Sequence, residues 1–337
     1  MLLHYTTLFI SVALISFSAT GMVLKFLRKK AILDHPNERS SHSIPTPRGG
    51  GIGLLIAVIP TLFVIQGLSD QPLAGYLPIL ISAICLGFLS WLDDLYTLGS
   101  GIRFLSQVLA VTVCLYFLPS PVEGYLGGFL PIWFEKIILG LGWVWFINLF
   151  NFMDGIDGIS GVEIITIAIG ATLLSLLVPL SVEYTQTGLI FSAAALGFLK
   201  WNWHKAKVFM GDVGSVPMGF LLGWLLILLA SEGLFIAALI LALYYLADAT
   251  ITLGKRTLRK EKVWLAHREH FYQMAAKAGM AHDKIVLRIV ALNIALIGSA
   301  CLSLFTFPLL ALLIASLCVA FCLYSFKHTY NKTKANG

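Results

Sequence analysis

The sequence predicts an all-α, polytopic membrane protein. Of its 337 residues, 58% are apolar and only 12% are charged, whereas a soluble globular chain carries roughly 25% charged residues. The apolar residues come in successive runs of about 18–22, close to the roughly 20 residues that a helix needs to cross a bilayer. The runs are continuous, whereas a transmembrane β-barrel would alternate apolar and polar residues. The pattern therefore favours membrane-spanning helices.

About eleven transmembrane helices can be placed along the chain, with ten as the alternative. The alternative arises because only Thr306, Phe307 and Pro308 separate the last two apolar runs. No internal repeat or low-complexity linker is evident, so we expect a single domain over 1–337, with a cytoplasmic loop at 255–285. The predicted spans are 5–24, 50–68, 74–92, 103–119, 129–148, 160–179, 185–201, 213–231, 233–253, 286–305 and 307–325.

Basic residues fall almost entirely on one side of these spans. The chain has 23 Lys and Arg residues, and if the spans alternate in direction, Lys136 is the one basic residue on the other side. Cytoplasmic loops carry the excess of Lys and Arg, so the basic side is predicted to be cytoplasmic. The N-terminus then lies outside, and the first helix is expected to be an uncleaved span rather than a signal peptide.

Clusters of polar residues occur at the same ends of the spans as the basic residues. Polar groups at membrane depth are costly and usually mark a functional path. Carboxylates are ligands that Mg²⁺ combines with substrate phosphates, so the pattern predicts metal-assisted phosphoryl transfer at the cytoplasmic face. The clusters are Asp93 and Asp94 after span three; Asn148, Asn151, Asp154 and Asp157 after span five; Asp212 at the start of span eight; and His267, Arg268 and His270 after span nine.

Each cluster also has a plain structural interpretation. The aspartate pair after span three could be a solvated turn, residues 148–157 could form an interfacial loop, and Asp212 could cap a helix. The basic loop after span nine could bind anionic membrane lipid, with its histidines at the surface. The glycines at 49–53 indicate close helix approach rather than a phosphate loop. Asp248 lies in apolar sequence and is expected to pair with a basic residue.

Five motifs, in this order along one face, resemble a known family, the polyprenyl-phosphate N-acetylhexosamine-1-phosphate transferases. Two of them look most similar to the branch that begins O-antigen synthesis: NFMDGIDG, within the third motif, and AHREHFYQ, the fifth. The resemblance implies transfer from a UDP-N-acetyl-sugar to undecaprenyl phosphate, giving undecaprenyl-diphospho-sugar and UMP, at a bacterial inner membrane. The motifs are RSSHSIPTPRGGGIG at 39–53, WLDD at 91–94, NLFNFMDGIDG at 148–158, VFMGDVGSVPMG at 208–219 and AHREHFYQ at 266–273.

The resemblance also implies roles for individual residues. The cofactor would be Mg²⁺, with Mn²⁺ as a candidate substitute, and the resemblance suggests a homodimer and no nucleic-acid partner. Thr97 stands where the lipid I enzyme has a lysine, and Arg103 is expected to serve instead. The implied metal ligands are Asp212 and Asp93; the catalytic set is Asp93, Asp94, Asp154, Asp157, His267 and His270; and the substrate-binding set is Asn148, Asn151, Asn202, Phe209, Arg103, His42, Arg48 and Arg268, with Asn202 and Phe209 at the uracil.

Other mechanisms and functions stay open on the sequence alone. We favour direct attack of the lipid phosphate on the UDP-sugar, because positioning and electrostatics dominate phosphoryl transfer. A two-step route through an aspartyl phospho-enzyme is the alternative mechanism. The alternative activities are phospho-N-acetylmuramoyl-pentapeptide transfer and, in a different class, secondary transport. A non-catalytic scaffold that binds anionic lipid would leave five aspartates unexplained, at positions 93, 94, 154, 157 and 212.

Overall fold

The prediction of an all-α membrane protein is confirmed by a computed structural model, which describes residues 2–36, 44–68, 75–118, 120–178, 180–262, 267–305 and 307–336. Within these ranges the chain forms thirteen helices and one two-stranded antiparallel sheet. The elements are α1 (Leu2–Lys29), β1 (Leu33–Asp34), β2 (Thr46–Pro47), α2 (Gly51–Gly67), α3 (Leu77–Tyr96), α4 (Ser100–Phe117), α5 (Ile132–Met153), α6 (Ile159–Leu177), α7 (Val182–Asn202), α8 (Asp212–Ser231), α9 (Phe235–Leu241), α10 (Leu243–Leu258), α11 (Phe271–Lys277), α12 (His282–Leu302) and α13 (Pro308–Asn336).

Every predicted span coincides with a helix or a helix pair. Among the described residues, eight helices are long and apolar enough to cross a membrane, or nine if α9 and α10 form one broken span. Helix α2 is apolar but has only 17 residues, and α7 is polar in its first two turns. That eleven segments cross the bilayer, and that the whole chain is one domain, therefore stay predictions.

The ninth predicted span, 233–253, is wrong as a single straight helix. The chain bends by 68° between α9 and α10, at Ala242. Helix α10 then continues to Leu258, into the predicted loop at 255–285, which also contains the short helix α11. An uninterrupted run of apolar residues carries no sign of such a bend, since neither Pro nor Gly occurs at it.

Helix α8 forms the centre of the bundle and packs against α3, α5, α2, α6 and α9. Small residues allow this close packing. A Cβ on Gly51 of α2 would lie 2.3 Å from the Cα of Gly214 in α8, and a Cβ on Gly53 would lie 2.5 Å from the Cα of Thr20 in α1. The predicted close helix approach at 49–53 is therefore confirmed.

Contacts between helix ends gather the predicted polar residues at one end of the bundle. The backbone N–H groups of Gly49 and Gly50 donate to the Phe209 carbonyl at 3.2 and 2.8 Å, which holds the start of α2 beside the start of α8. Ion pairs join the end of α3 to the first turn of α4 and the start of α8. That this end faces the cytoplasm, with the N-terminus outside, stays a prediction.

Candidate active site

Three aspartates and two arginines form an ion-pair network at this end of the bundle. Arg48, just before α2, places Nε 2.9 Å from Asp94 and Nη2 2.5 Å from Asp212. Arg103, in the first turn of α4, places Nη1 2.9 Å from Asp93 and 3.4 Å from Asp212. The aspartate side chains are 1–14% exposed and the arginines 38%. The carboxylates thus lie beneath a partly exposed guanidinium layer.

Asp93 and Asp212 direct oxygens at one cationic centre. The Oδ2 atoms of both contact the same Arg103 nitrogen, although the two residues are 119 apart in the sequence. Oxygen ligands suit hard cations such as Mg²⁺. These two side chains therefore fit a divalent cation, and Asp212 and Asp93 are the residues that would hold it.

Asp94 has a different role, as the cap of a neighbouring helix. Its carboxylate accepts hydrogen bonds from the backbone N–H groups of Asp212 at 3.3 Å and Val213 at 3.1 Å, the first two residues of α8. A carboxylate at a helix N-terminus satisfies unpaired donors and complements the helix dipole. Asp94 therefore fixes Asp212 relative to α3.

The charge on Arg48 is maintained by the network. Burial alone would lower the pKa of its guanidinium, but the charges of Asp212 and Asp94 outweigh that effect and raise the pKa. Arg48 is therefore a permanent cation against two largely buried carboxylates. An anionic phosphate that enters would meet Arg48 and Arg103 at the exposed side of the network.

Two cavities meet beside the network. The smaller, of about 340 Å³, is lined by Arg103, Asn151, Asp212 and neighbouring residues. The larger is an open groove of about 1420 Å³ between α4, α5 and α10, lined mostly by apolar side chains and reaching Lys136 near the start of α5. Phe104, Asn148 and Phe152 line both. The apolar groove therefore opens directly towards Arg103 and Asp212.

The two asparagines of α5 are held by polar partners at this junction. Asn148 donates to Gln107 Oε1 at 2.6 Å and to the Val144 carbonyl at 2.8 Å. Asn151 donates to Ser215 Oγ at 2.8 Å, in the first turn of α8. Their amides are thus oriented at the cavity wall.

Asp154 lies just after α5, close to the network. Burial raises the pKa of its carboxyl to about 6; the Ser160 hydroxyl opposes that rise, Asp212 adds to it, and Arg48 opposes it. Residues 267–273, here called the histidine segment, pack closely against this loop at Gly155. A Cβ on Gly155 would lie 2.3 Å from the Tyr272 hydroxyl oxygen. Asp154 therefore lies between the aspartate network and α11.

The partners of Asp157 are two histidines and not the arginines of the network. Its Oδ2 lies 2.8 Å from Nδ1 of His204, which follows α7, and 3.3 Å from Nδ1 of His282, the first residue of α12. The Ala206 backbone N–H donates to the same oxygen at 3.3 Å. Burial would raise the pKa of Asp157, but the two imidazoles and this N–H lower it overall.

Asn202, expected at the uracil, braces two loops. Its Oδ1 accepts a hydrogen bond from the Gly158 backbone N–H at 3.0 Å, and its Nδ2 donates to the Val208 carbonyl at 3.0 Å. The side chain is buried. The neighbouring Phe209 donates its backbone N–H to the Pro47 carbonyl at 2.8 Å. Contact of Asn202 or Phe209 with a base stays a prediction.

The histidine segment is anchored by Asp248 of α10. Asp248 Oδ1 lies 3.3 Å from Nδ1 of His270 and accepts the Phe271 backbone N–H at 3.0 Å. His270 is 1% exposed and caps α11 in a reciprocal pair of hydrogen bonds with Gln273. The expected basic partner of Asp248 is thus His270, whose contacts are those of a structural anchor.

Its neighbours His267 and Arg268 lie nearer the surface, with intermediate exposure. Burial, together with the nearby His270 and Arg256, lowers the pKa of His267 to about 4. His267 is therefore neutral at neutral pH and is suited to donate or accept a hydrogen bond. His42, also expected to bind substrate, lies outside the described residues.

Sequence reasoning missed His204 and His282. Each lies within four residues of a predicted span, on the face predicted to carry Asp157, which was an available signal. The spacing of residues 157, 204 and 282 in the sequence matches no motif, since only the fold brings these residues together. The capping role of Asp94 was also missed, since its donors are 118 and 119 residues away.

Comparison with known proteins gives one family and several relatives. A family model described as Glycosyl transferase family 4 matches residues 76–230, which include Asp93 and Asp212. A probable undecaprenyl-phosphate N-acetylglucosaminyl 1-phosphate transferase of Bacillus subtilis (strain 168) is 26% identical over 80% of this chain and 76% of its own length. An undecaprenyl-phosphate alpha-N-acetylglucosaminyl 1-phosphate transferase of Thermotoga maritima is 29% identical over 61% of this chain and 60% of its own length.

A phospho-N-acetylmuramoyl-pentapeptide-transferase of Pelagibacter ubique is 27% identical over 89% of this chain and 90% of its own length. With the Thermotoga maritima protein, by contrast, the match spans less than two thirds of the relative. The relatives thus share part or most of their length with the chain at low identity.

Proposed function

The chain belongs to the polyprenyl-phosphate N-acetylhexosamine-1-phosphate transferase family, and from that premise we propose its reaction. It transfers an N-acetylhexosamine 1-phosphate from a UDP-sugar to undecaprenyl phosphate, with Mg²⁺ as cofactor. The observation that carries the proposal is the convergence of Asp93 and Asp212 on one cationic centre, at the mouth of an apolar groove. A polyprenyl chain suits the groove, and a diphosphate with its cation suits the network.

The apolar groove is the proposed binding site of the acceptor lipid. Its phosphate end would lie near Arg103, at the junction lined by Phe104 and Asn148, and its prenyl chain would follow the apolar wall. Lys136, the basic residue expected on the opposite face, lines the far part of the groove. The groove therefore extends along much of the predicted membrane thickness.

The proposed chemical step is a direct displacement. A phosphate oxygen of undecaprenyl phosphate attacks the β-phosphorus of the UDP-sugar, the bond from that phosphorus to the bridging oxygen breaks, and UMP leaves with the oxygen. A phosphate monoester has a second pKa near 6, so the acceptor is largely dianionic at neutral pH and needs no strong base. Orientation and charge stabilisation then remain as the main tasks of the site.

The residues divide these tasks. Arg48 and Arg103 hold phosphate oxygens, while Asp93 and Asp212 would hold Mg²⁺, which supplies charge neutralisation as a Lewis acid. Asp94 keeps Asp212 in register, and Asp154 borders the network from the α11 side. A phospho-enzyme route has less support, because Asp93 and Asp212 would hold the Mg²⁺ and a metal ligand is poorly placed to act as a nucleophile.

The alternative functions have less support. The muramoyl-pentapeptide transferases match this chain at only 26% and 27% identity, and Thr97 stands where the lipid I enzyme has a lysine. A secondary transporter would be expected to hold its site near the middle of the membrane, whereas the network lies at helix ends. We place the site at the cytoplasmic face of a bacterial inner membrane, and we propose a cell-envelope polysaccharide as the end product. The O-antigen branch and a homodimer remain predictions from the resemblance.

The reaction is tested with purified protein, undecaprenyl phosphate and Mg²⁺. UDP-GlcNAc should release UMP and give a lipid-linked sugar phosphate, and EDTA should abolish release until Mg²⁺ is restored. A parallel panel of UDP-GalNAc and the 6-deoxy N-acetyl sugars identifies the preferred donor. Asp212→Asn should lower the rate by roughly 10²-fold or more with an unchanged unfolding midpoint. Absence of UMP release with every donor would overturn the proposal.

A further inference from the structure

A second group of ligating side chains shares no residue with the aspartate network. It comprises Asp157 after α5, His204 after α7 and His282 at the start of α12. Their nearest ligand atoms, one from each residue, all lie within 4.8 Å of one another. The side chains are 8%, 27% and 13% exposed. Three elements separated in sequence therefore bring one carboxylate and two imidazoles to a single point.

This donor set differs from that of the network. The network offers only oxygen ligands, which suit Mg²⁺, whereas imidazole nitrogens suit zinc and its neighbours in the transition series. Two histidines and one carboxylate also form a known ligand set of zinc sites that keep a fourth position for water. The partly exposed side of His204 provides access for that water.

One atom of the group lacks a satisfactory partner. His282 Nδ1 is buried and makes no hydrogen bond of proper geometry within the described part of the chain, although Asp157 Oδ2 lies 3.3 Å away. A buried ring nitrogen without such a partner normally carries a free-energy penalty. Both imidazoles direct Nδ1 at the same carboxylate oxygen, so a metal ion at this point would satisfy all three side chains.

We propose that Asp157, His204 and His282 form a binding site for a transition-metal ion of the zinc class. A metal there would join the Asp157 loop and the His204 loop to α12. The Asp157 loop also receives Asn202 through the Gly158 backbone N–H, so the metal would brace the connection between α7 and α8. This proposal does not require that the proposed transfer reaction be correct.

The test measures metal directly on the purified full chain. Protein stripped with a chelator at pH 7.5 is loaded with Zn²⁺, passed over a desalting column and analysed for bound metal by mass spectrometry. Wild type should retain about one equivalent, and His204→Ala and His282→Ala should each weaken binding at least ~10-fold. His328→Ala, at an exposed position of α13, and Asp212→Asn, in the other site, should both retain the metal.

A second measurement covers the case in which the alanine variants fold poorly. Co²⁺ bound to wild type should give visible absorption bands, and these should decrease in Asp157→Asn, which nearly preserves side-chain shape. Zn²⁺ should also raise the unfolding midpoint of wild type but not of Asp157→Asn. Equal metal retention by wild type and by all three site variants would overturn the proposal. Absence of Zn²⁺ and Co²⁺ binding to wild type would reduce the group to a hydrogen-bonded clamp and would likewise overturn it.

Discussion

The substitution Gly51→Ala should disable the enzyme through a single methyl group. Its Cβ would lie 2.3 Å from the Cα of Gly214 and 2.7 Å from that residue's backbone nitrogen, whereas ordinary contact begins at 3.4 Å. Because both obstacles are backbone atoms, the starts of α2 and α8 must separate by about 1 Å (3.4 − 2.3 = 1.1). Asp212 begins α8, and Arg48 lies three residues before Gly51. The separation therefore moves two partners of one ion pair.

A displacement of about 1 Å in a positioned catalytic group costs up to ~10²-fold in rate, and overpacking typically costs about 1–3 kcal/mol of stability. We therefore expect UMP release by Gly51→Ala to fall about 10²-fold, while most of the protein remains folded at assay temperature. Initial rates in detergent, with the unfolding midpoint measured in parallel, separate the two effects.

The matched control is Gly298→Ala in α12, where a Cβ would meet nothing within 4 Å. It should keep the wild-type rate and be slightly stabilised, since alanine reduces the freedom of the unfolded chain. Wild-type turnover by Gly51→Ala would refute the claim that the α2–α8 contact positions Asp212.

Three other substitutions test separate parts of the site. Arg103→Ala removes contacts to two carboxylates and should lower kcat/KM at least ~10-fold. Arg103→Lys should recover part of the lost kcat/KM. An unchanged kcat/KM in Arg103→Ala would contradict the role of Arg103. Gly142→Trp adds bulk to the groove from a position with open space and should raise KM for undecaprenyl phosphate about tenfold, with little change in KM for the UDP-sugar; equal changes in both would count against the groove. Gly155→Ala would press a Cβ against the buried Tyr272 hydroxyl. It should lower the free energy of unfolding by about 1–3 kcal/mol, measured by thermal denaturation. An unchanged unfolding midpoint would show that α11 does not pack on the loop after α5.

Helix positions and the aspartate network could be predicted from sequence because both follow local rules. Apolar runs of membrane length predict helices. If successive spans alternate in direction, the end of the helix that carries Asp93 and the start of the helix that carries Asp212 lie on the same side of the membrane. The resemblance added Arg103 as a basic residue of the site, and the structure brings it to both aspartates.

The remainder depended on tertiary contacts that no local pattern records. The bend at Ala242 interrupts a continuous apolar run. His204 and His282 meet Asp157 only because α7 and α12 end beside one loop. Asp248 could be recognised as a buried charge, but its partner is decided by where α11 packs.

The central claim is that Asp93 and Asp212 bind one divalent cation that supports transfer. The direct measurement is Mn²⁺ titration of purified protein followed by electron paramagnetic resonance, with Mg²⁺ as competitor. Wild type should have a Mn²⁺ site that Mg²⁺ empties, with affinity at least ~10-fold lower in Asp93→Asn and Asp212→Asn, whereas Asp94→Asn should chiefly lose stability because it caps α8. Equal Mn²⁺ affinity in wild type and in the Asp93 and Asp212 variants would contradict the account.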